Sequence, residues 1–123
     1  DFLAMACPLT PMTENMIDKN IFNIMKDTAF VINTSRGKII NENDLIAALE
    51  SNKISGAALD VFATEPLDDE SPLFNLENVF LSPHIAGNFS SYQERMIIQF
   101  NDMLIKYMNN KALKNRVCKK RLY

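Results

Sequence analysis

AFVINTSRGKIINENDLIAALES, residues 29–51, is the stretch that decides the fold. Its opening is a nearly continuous apolar run, the signature of a strand buried on both faces of a parallel sheet. The run stops at Asn33, Thr34, Ser35, Arg36 and Gly37. Leu45, Ile46 and Leu49 then recur at helical steps, behind Asn41 or Asn43, either of which can cap the helix. A strand, a polar crest and an amphipathic helix in that order make most of a βαβ unit.

The same pattern extends outward in both directions. DFLAMAC (1–7) reads as a strand cut off by Pro8 and Pro11, and DKNIFNIMK (18–26) as a short helix capped by Asp18 with Ile21, Ile24 and Met25 inward. GAALDVF (56–62) and NVFLSPH (78–84) read as the third and fourth strands, the last ended by Pro83. Strands alternating with helices predict an α/β fold: a parallel sheet with right-handed crossovers and flanking helices. ATEPLDDESPLFNLE (63–77) is polar and punctuated by proline, and reads as a loop. After it, residues 90–110 hold the longest helix pattern, with Tyr92, Met96, Phe100, Met103, Leu104, Tyr107 and Met108 forming a stripe expected to face a core.

Composition excludes several classes. With 123 residues and 47% apolar content, the chain fits an ordinary globular domain. No apolar run reaches the ~20 residues of a membrane helix, and no basic leader precedes one, so a soluble, cytoplasmic protein is the expectation. Cys7 and Cys118 form no CxxC pair and are read as free thiols. The net charge of −2 conceals a basic tail: residues 103–123 carry seven basic side chains and no acidic one. That tail, KALKNRVCKKRLY, has Tyr123 as its sole aromatic, which favours a solvated or docking segment over a nucleic-acid contact.

Ligands of open parallel sheets bind at the carboxyl ends of the strands. Those ends carry Cys7 to Thr10, Asn33 to Gly37, Asp60 to Pro66, and Ser82 to His84, which is the single histidine. A histidine beside a carboxylate can exchange a proton with a substrate oxygen, and arginine grips a carboxylate through two parallel hydrogen bonds. The trio suits a small acidic substrate whose hydroxyl or carbonyl loses or gains a proton. One histidine offers no second nitrogen for a metal, and no nucleophile-elbow motif surrounds Ser35, Ser82 or Cys7. Taken singly, each residue also has a structural reading: His84 as a packed histidine, Arg36 as a charged turn, Glu65 as a solvated acid, Asp60 as a loop cap.

CPLTPMTENMI, FVINTSRGKIINENDLIAAL, ISGAALDVFATEP and NVFLSPHIAG, in this order and spacing, resemble the signature blocks of the D-isomer-specific 2-hydroxyacid dehydrogenases. The segment after Gly87 is similar to the ending of the glyoxylate, hydroxypyruvate and related 2-ketoacid reductases. The resemblance implies the second half of a Rossmann-type NAD(P)-binding domain over 1–90, with a long helix and basic tail over 91–123 that would pack on a substrate domain. It implies that Arg36 binds the substrate carboxylate, that His84 is the general acid and base, and that Glu65 is its partner. It implies cofactor contacts, with NAD or NADP, at Cys7, Pro8, Leu9, Thr10, Thr34, Ser35, Arg36, Asp60, His84, Ile85, Ala86 and Gly87, with Asp60 on the nicotinamide carboxamide. Gly37 is expected to free the turn that aims Arg36.

No GxGxxG loop, which would seat the pyrophosphate, stands in the sequence. Set against the resemblance, that absence implies the C-terminal part of an enzyme more than twice as long, which the resemblance makes homodimeric when whole, and the isolated 123-residue piece is expected to be inactive. A small 2-keto or 2-hydroxy acid is the expected substrate, without metal, membrane or nucleic acid. The same scaffold also serves corepressor-like regulators that respond to NAD, and a truncated, inactive product is a further alternative.

Overall fold

The structure, a computed structural model, describes residues 1–120; Arg121 and Tyr123 of the basic tail lie outside the described residues. It divides into two compact units, residues 1–86 and 87–123.

The first unit is a four-stranded sheet in the order β1 (Phe2–Met5), β2 (Phe30–Asn33), β3 (Gly56–Leu59), β4 (Val79–Leu81), with every neighbouring pair parallel. The helices α1 (Lys19–Ile24) and α2 (Glu42–Glu50) fill the first two crossovers. In the third, a single 3-10 turn at Pro72–Asn75, capped by Ser71 and burying Leu73, interrupts the expected loop. β1, β3 and β4 are shorter than the stretches read as strands, because the ladders end on one shared rung, Met5, Asn33, Leu59 and Leu81. Beyond that rung the residues turn out of the sheet and become the crest of the site.

Side chains alternate across a strand, so one face of the sheet carries Met5, Val31, Asn33, Ala57 and Leu59, all buried. Against it pack Phe22 of α1, Leu45, Ala48 and Leu49 of α2, and Ile39 and Ile40 of the turn before α2. Asp18 caps α1 as expected, accepting from the amides of Asn20 and Ile21. Ile21 and Met25 of this segment pack half-buried against the core as expected, but its most buried residue is Phe22, and Ile24 is 81% exposed. Ile24 stands two positions on from Phe22, more than half a turn round the helix, and so points to the other side. Asn41, not Asn43, caps α2 through the amide of Asp44.

In the second unit, α3 spans Tyr92–Met108. None of its residues is buried, so the apolar stripe expected to face a core lies at the surface. Among the described residues no helix is long and apolar enough to cross a membrane.

Candidate active site

Asn33 ends β2 and organises the turn that leads from the strand to Gly37. It is buried, and its side-chain oxygen accepts from the amide and hydroxyl of Ser35 at 3.1 Å each, while its amide group donates to the Arg36 carbonyl at 2.9 Å. This Asx turn lifts Thr34 and Arg36 to the exposed crest. Arg36 donates to the Ser35 carbonyl at 2.6 Å and forms no ion pair among the described residues, so the rest of its fork is available to an anion. Gly37 does not act through a left-handed turn, since no glycine has positive φ. A Cβ there would lie 1.9 Å from the carbonyl carbon and oxygen of Phe62, so glycine is required by close approach of two backbones.

Asp60 follows β3 directly and is 3% exposed. Its carboxylate accepts from the Ser82 hydroxyl at 2.5 Å, the Ile85 amide at 2.9 Å and the Ala86 amide at 2.8 Å. Burial alone would raise its pKa, but those three donors outweigh it and hold the carboxyl below its ordinary range, aided by the charge of His84. Between the gripped residues, His84 sits at φ 54°, in the left-handed region that costs a non-glycine residue energy and persists where the surroundings enforce it. The clamp of Asp60 on Ser82, Ile85 and Ala86 is that enforcement.

His84 and Glu65 meet: Nδ1 lies 2.7 Å from Oε2. The other carboxylate oxygen, Oε1, accepts from the Phe62 amide at 3.0 Å. The His84 contact first, then the Phe62 amide, hold the Glu65 carboxyl below its ordinary range against the opposing effect of burial, with the charges of His84 and Arg36 adding to it. Arg36 is thus close enough to act on Glu65, although no bond joins them. An ionised Glu65 only accepts, so Nδ1 must carry a proton, and Nε2 is left to face a reacting group. Beside the pair opens a cavity of about 390 Å³ whose walls include Phe62, Leu67, Phe74, Leu81 and Pro83.

The first expected cofactor segment, Cys7 to Thr10, comes directly after β1 and is shaped by Thr13, whose hydroxyl donates to the Pro8 carbonyl at 2.7 Å and receives the Thr10 amide at 2.8 Å. Crest residues Thr34, Ser35 and Asp60 lie just past β2 and β3, and Ile85 and Ala86 just past His84, so these positions share one edge of the sheet. Gly87 opens the second unit. Asp60 has three of its roughly four acceptor sites filled by the chain, which leaves one for a donor such as a carboxamide N–H. The crest therefore fits the nicotinamide end of a dinucleotide. Nothing in the sequence supplies the glycine-rich loop for the pyrophosphate end.

Ser82 and Asn33 support the site but were not among the residues expected to act. Asn33 had a local signal, a polar residue two before Ser35 at the end of an apolar run. Ser82 had none, since its partner is 22 residues away.

A family model described as D-isomer specific 2-hydroxyacid dehydrogenase, NAD binding domain, matches residues 1–86. The chain belongs to that family. Glyoxylate reductase/hydroxypyruvate reductase of Homo sapiens is 49% identical over 87 residues, 71% of this chain and 26% of its own length. Glyoxylate/hydroxypyruvate reductase B of Cronobacter sakazakii is 41% identical over 117 residues, 95% of this chain and 36% of its own. The chain thus spans about a quarter to a third of these relatives. Among solved structures, the NADPH-dependent glyoxylate/hydroxypyruvate reductase of Sinorhizobium meliloti, in complex with NADP and sulfate, superposes with a TM-score of 0.92 at 30% identity, covering 100% of this chain and 40% of that one. The NAD complexed form of a Lactobacillus delbrueckii member gives 0.81 at 27% identity, over 93% of this chain and 38% of that one. The fold expected of the family member, the second half of a Rossmann-type parallel sheet followed by a long helix, is the fold observed.

Proposed function

We propose that this chain carries the catalytic crest of an NAD(P)-dependent dehydrogenase that interconverts a small 2-oxo acid and its 2-hydroxy acid. The observation that carries the proposal is the 2.7 Å contact between His84 Nδ1 and Glu65 Oε2, on the same edge of the sheet as Arg36.

Arg36 would take the substrate carboxylate in its fork, placing the adjacent carbonyl along the crest toward His84. When bound, the reduced nicotinamide supplies the hydride taken up by the carbonyl carbon. His84, protonated on both nitrogens, keeps Nδ1–H on Glu65 and gives the Nε2 proton to the oxygen that becomes the hydroxyl. In the reverse direction neutral Nε2 takes that proton back. Glu65 holds the ring and offsets the imidazolium charge. Cys7 to Thr10, Thr34, Ser35, Asp60, Ile85, Ala86 and Gly87 would line the cofactor.

The test grafts residues 1–86 into the matching segment of the Homo sapiens relative and follows NADPH oxidation with glyoxylate or hydroxypyruvate. The graft should turn over, and His84→Gln should cut kcat by about 100-fold or more while leaving cofactor binding intact. A graft that folds, binds cofactor and is no faster than its His84→Gln variant would overturn the assignment.

A further inference from the structure

We infer that Glu42, the first residue of α2, is a positioning residue for the His84–Glu65 pair. The two successive amides at the corner after β3 each go to a carboxylate: Phe62 N donates to Glu65 Oε1 at 3.0 Å, and Ala63 N donates to Glu42 Oε2 at 2.9 Å. Glu65 is therefore tied to a corner that Glu42 holds. The same corner is backed by Gly37, whose Cα leaves no room for a side chain against Phe62.

Glu42 itself starts from a fixed point. The backbone amide of Asn41 donates to the Ile17 carbonyl at 2.9 Å, and Ile17 bridges Ile40 in parallel. The helix start, the corner and Glu65 form one chain of contacts ending at Nδ1 of His84. Hydrogen bonds to the ring tolerate only about 0.5 Å of displacement, so releasing the corner releases the imidazole. An acidic residue in a first helical turn also has a plain role, favourable contact with the helix dipole. The two roles separate by reach: dipole contact needs only the charge, positioning needs the oxygen at Ala63.

The inference rests on the pair proposed above, but its readout is the ring itself and not turnover. Because the chain has one histidine, long-range 1H–15N correlation of the 123-residue chain, at alkaline pH, reports the His84 tautomer alone. The wild-type ring should be protonated on Nδ1. Glu42→Ala should lose that pattern, its two nitrogen shifts converging toward a tautomer mixture. Glu42→Gln should keep it, since the amide oxygen still accepts from Ala63. Glu42→Asp should lose it despite retaining the charge, because its oxygen is withdrawn by one methylene, and this variant carries the test should Glu42→Ala not fold. Asn41→Ala, which removes the cap of the same helix without touching the corner, should keep it. A wild-type pattern in both Glu42→Ala and Glu42→Asp, or equal loss in Asn41→Ala, would overturn the inference and leave the proposed function standing. A wild-type ring protonated on Nε2 would overturn both.

Discussion

Replacing Gly37 with alanine should be among the most destabilising single-methyl additions available to this chain. The added Cβ would meet the Phe62 carbonyl carbon and oxygen at 1.9 Å and the Ala63 nitrogen at 2.6 Å, whereas ordinary contact begins near 3.4 Å. Every atom it meets is backbone, so no side chain can swing aside. Overpacking costs about 1–3 kcal/mol, and the rigid neighbour puts this case at the upper end. At about 4–8 °C per kcal/mol for a unit of this size, a fall in Tm of about 10–20 °C is expected in a circular dichroism melt. Two other glycines calibrate the result. Gly56→Ala would meet the Asn78 backbone carbonyl at 2.5 Å and the Phe30 ring at 2.8 Å, and should cost less because its single backbone contact is longer than the 1.9 Å approach at Gly37. Gly87→Ala meets nothing within 4 Å and should be neutral or stabilising by about 0.4–1 kcal/mol. A Gly37→Ala protein melting within about 2 °C of wild type would refute the close approach and, with it, the corner that holds Glu65.

Asp60→Asn should cost about 1–3 kcal/mol at neutral pH, measured by urea unfolding, because an amide group cannot accept from all three donors at Ser82, Ile85 and Ala86. Its pH dependence has a fixed sign. The folded-state pKa values of Asp60 and Glu65 lie below their ordinary ones, so their stabilisation is complete above about pH 4.5 and drains as pH falls through the depressed values. Asp60→Asn should flatten that acid limb, and an unchanged limb would contradict the clamp. In the graft, Arg36→Lys keeps the charge but loses the fork, and should raise KM for glyoxylate by about 10–100-fold. An unchanged KM would remove Arg36 from the substrate.

Period and punctuation made the sheet legible. The apolar runs at β2 and β3, the caps at Asp18 and Asn41, and the helix at 92–108 all arise from local pattern, and strand alternation with helices supplied the parallel order. Strand ends were not legible, because where a ladder stops depends on its neighbour, and all four stop on one rung. The orientation of Ile24 was missed for a related reason: a stripe announces a face, not what covers it. At the site, strand-end position singled out Arg36, Asp60, Glu65 and His84, and the family resemblance assigned their roles. Contacts that bridge distant segments, Ser82 to Asp60 and Glu42 to Ala63, carry no local signal and emerge only from the fold. Gly37 shows the limit most clearly, since the sequence suggests glycine for its freedom in a turn, whereas the structure requires it because two backbones meet there.

The central claim is that an ionised Glu65 fixes the His84 ring so that Nε2 is the working nitrogen. The most direct measurement is the tautomer of this single histidine in the wild-type chain and in Glu65→Ala, which removes the acceptor, read from its two ring 15N shifts at alkaline pH. The wild-type ring should be protonated on Nδ1, and Glu65→Ala should shift it toward the Nε2–H form that isolated imidazoles favour. A wild-type ring already protonated on Nε2, or one that Glu65→Ala leaves unchanged, would contradict the account.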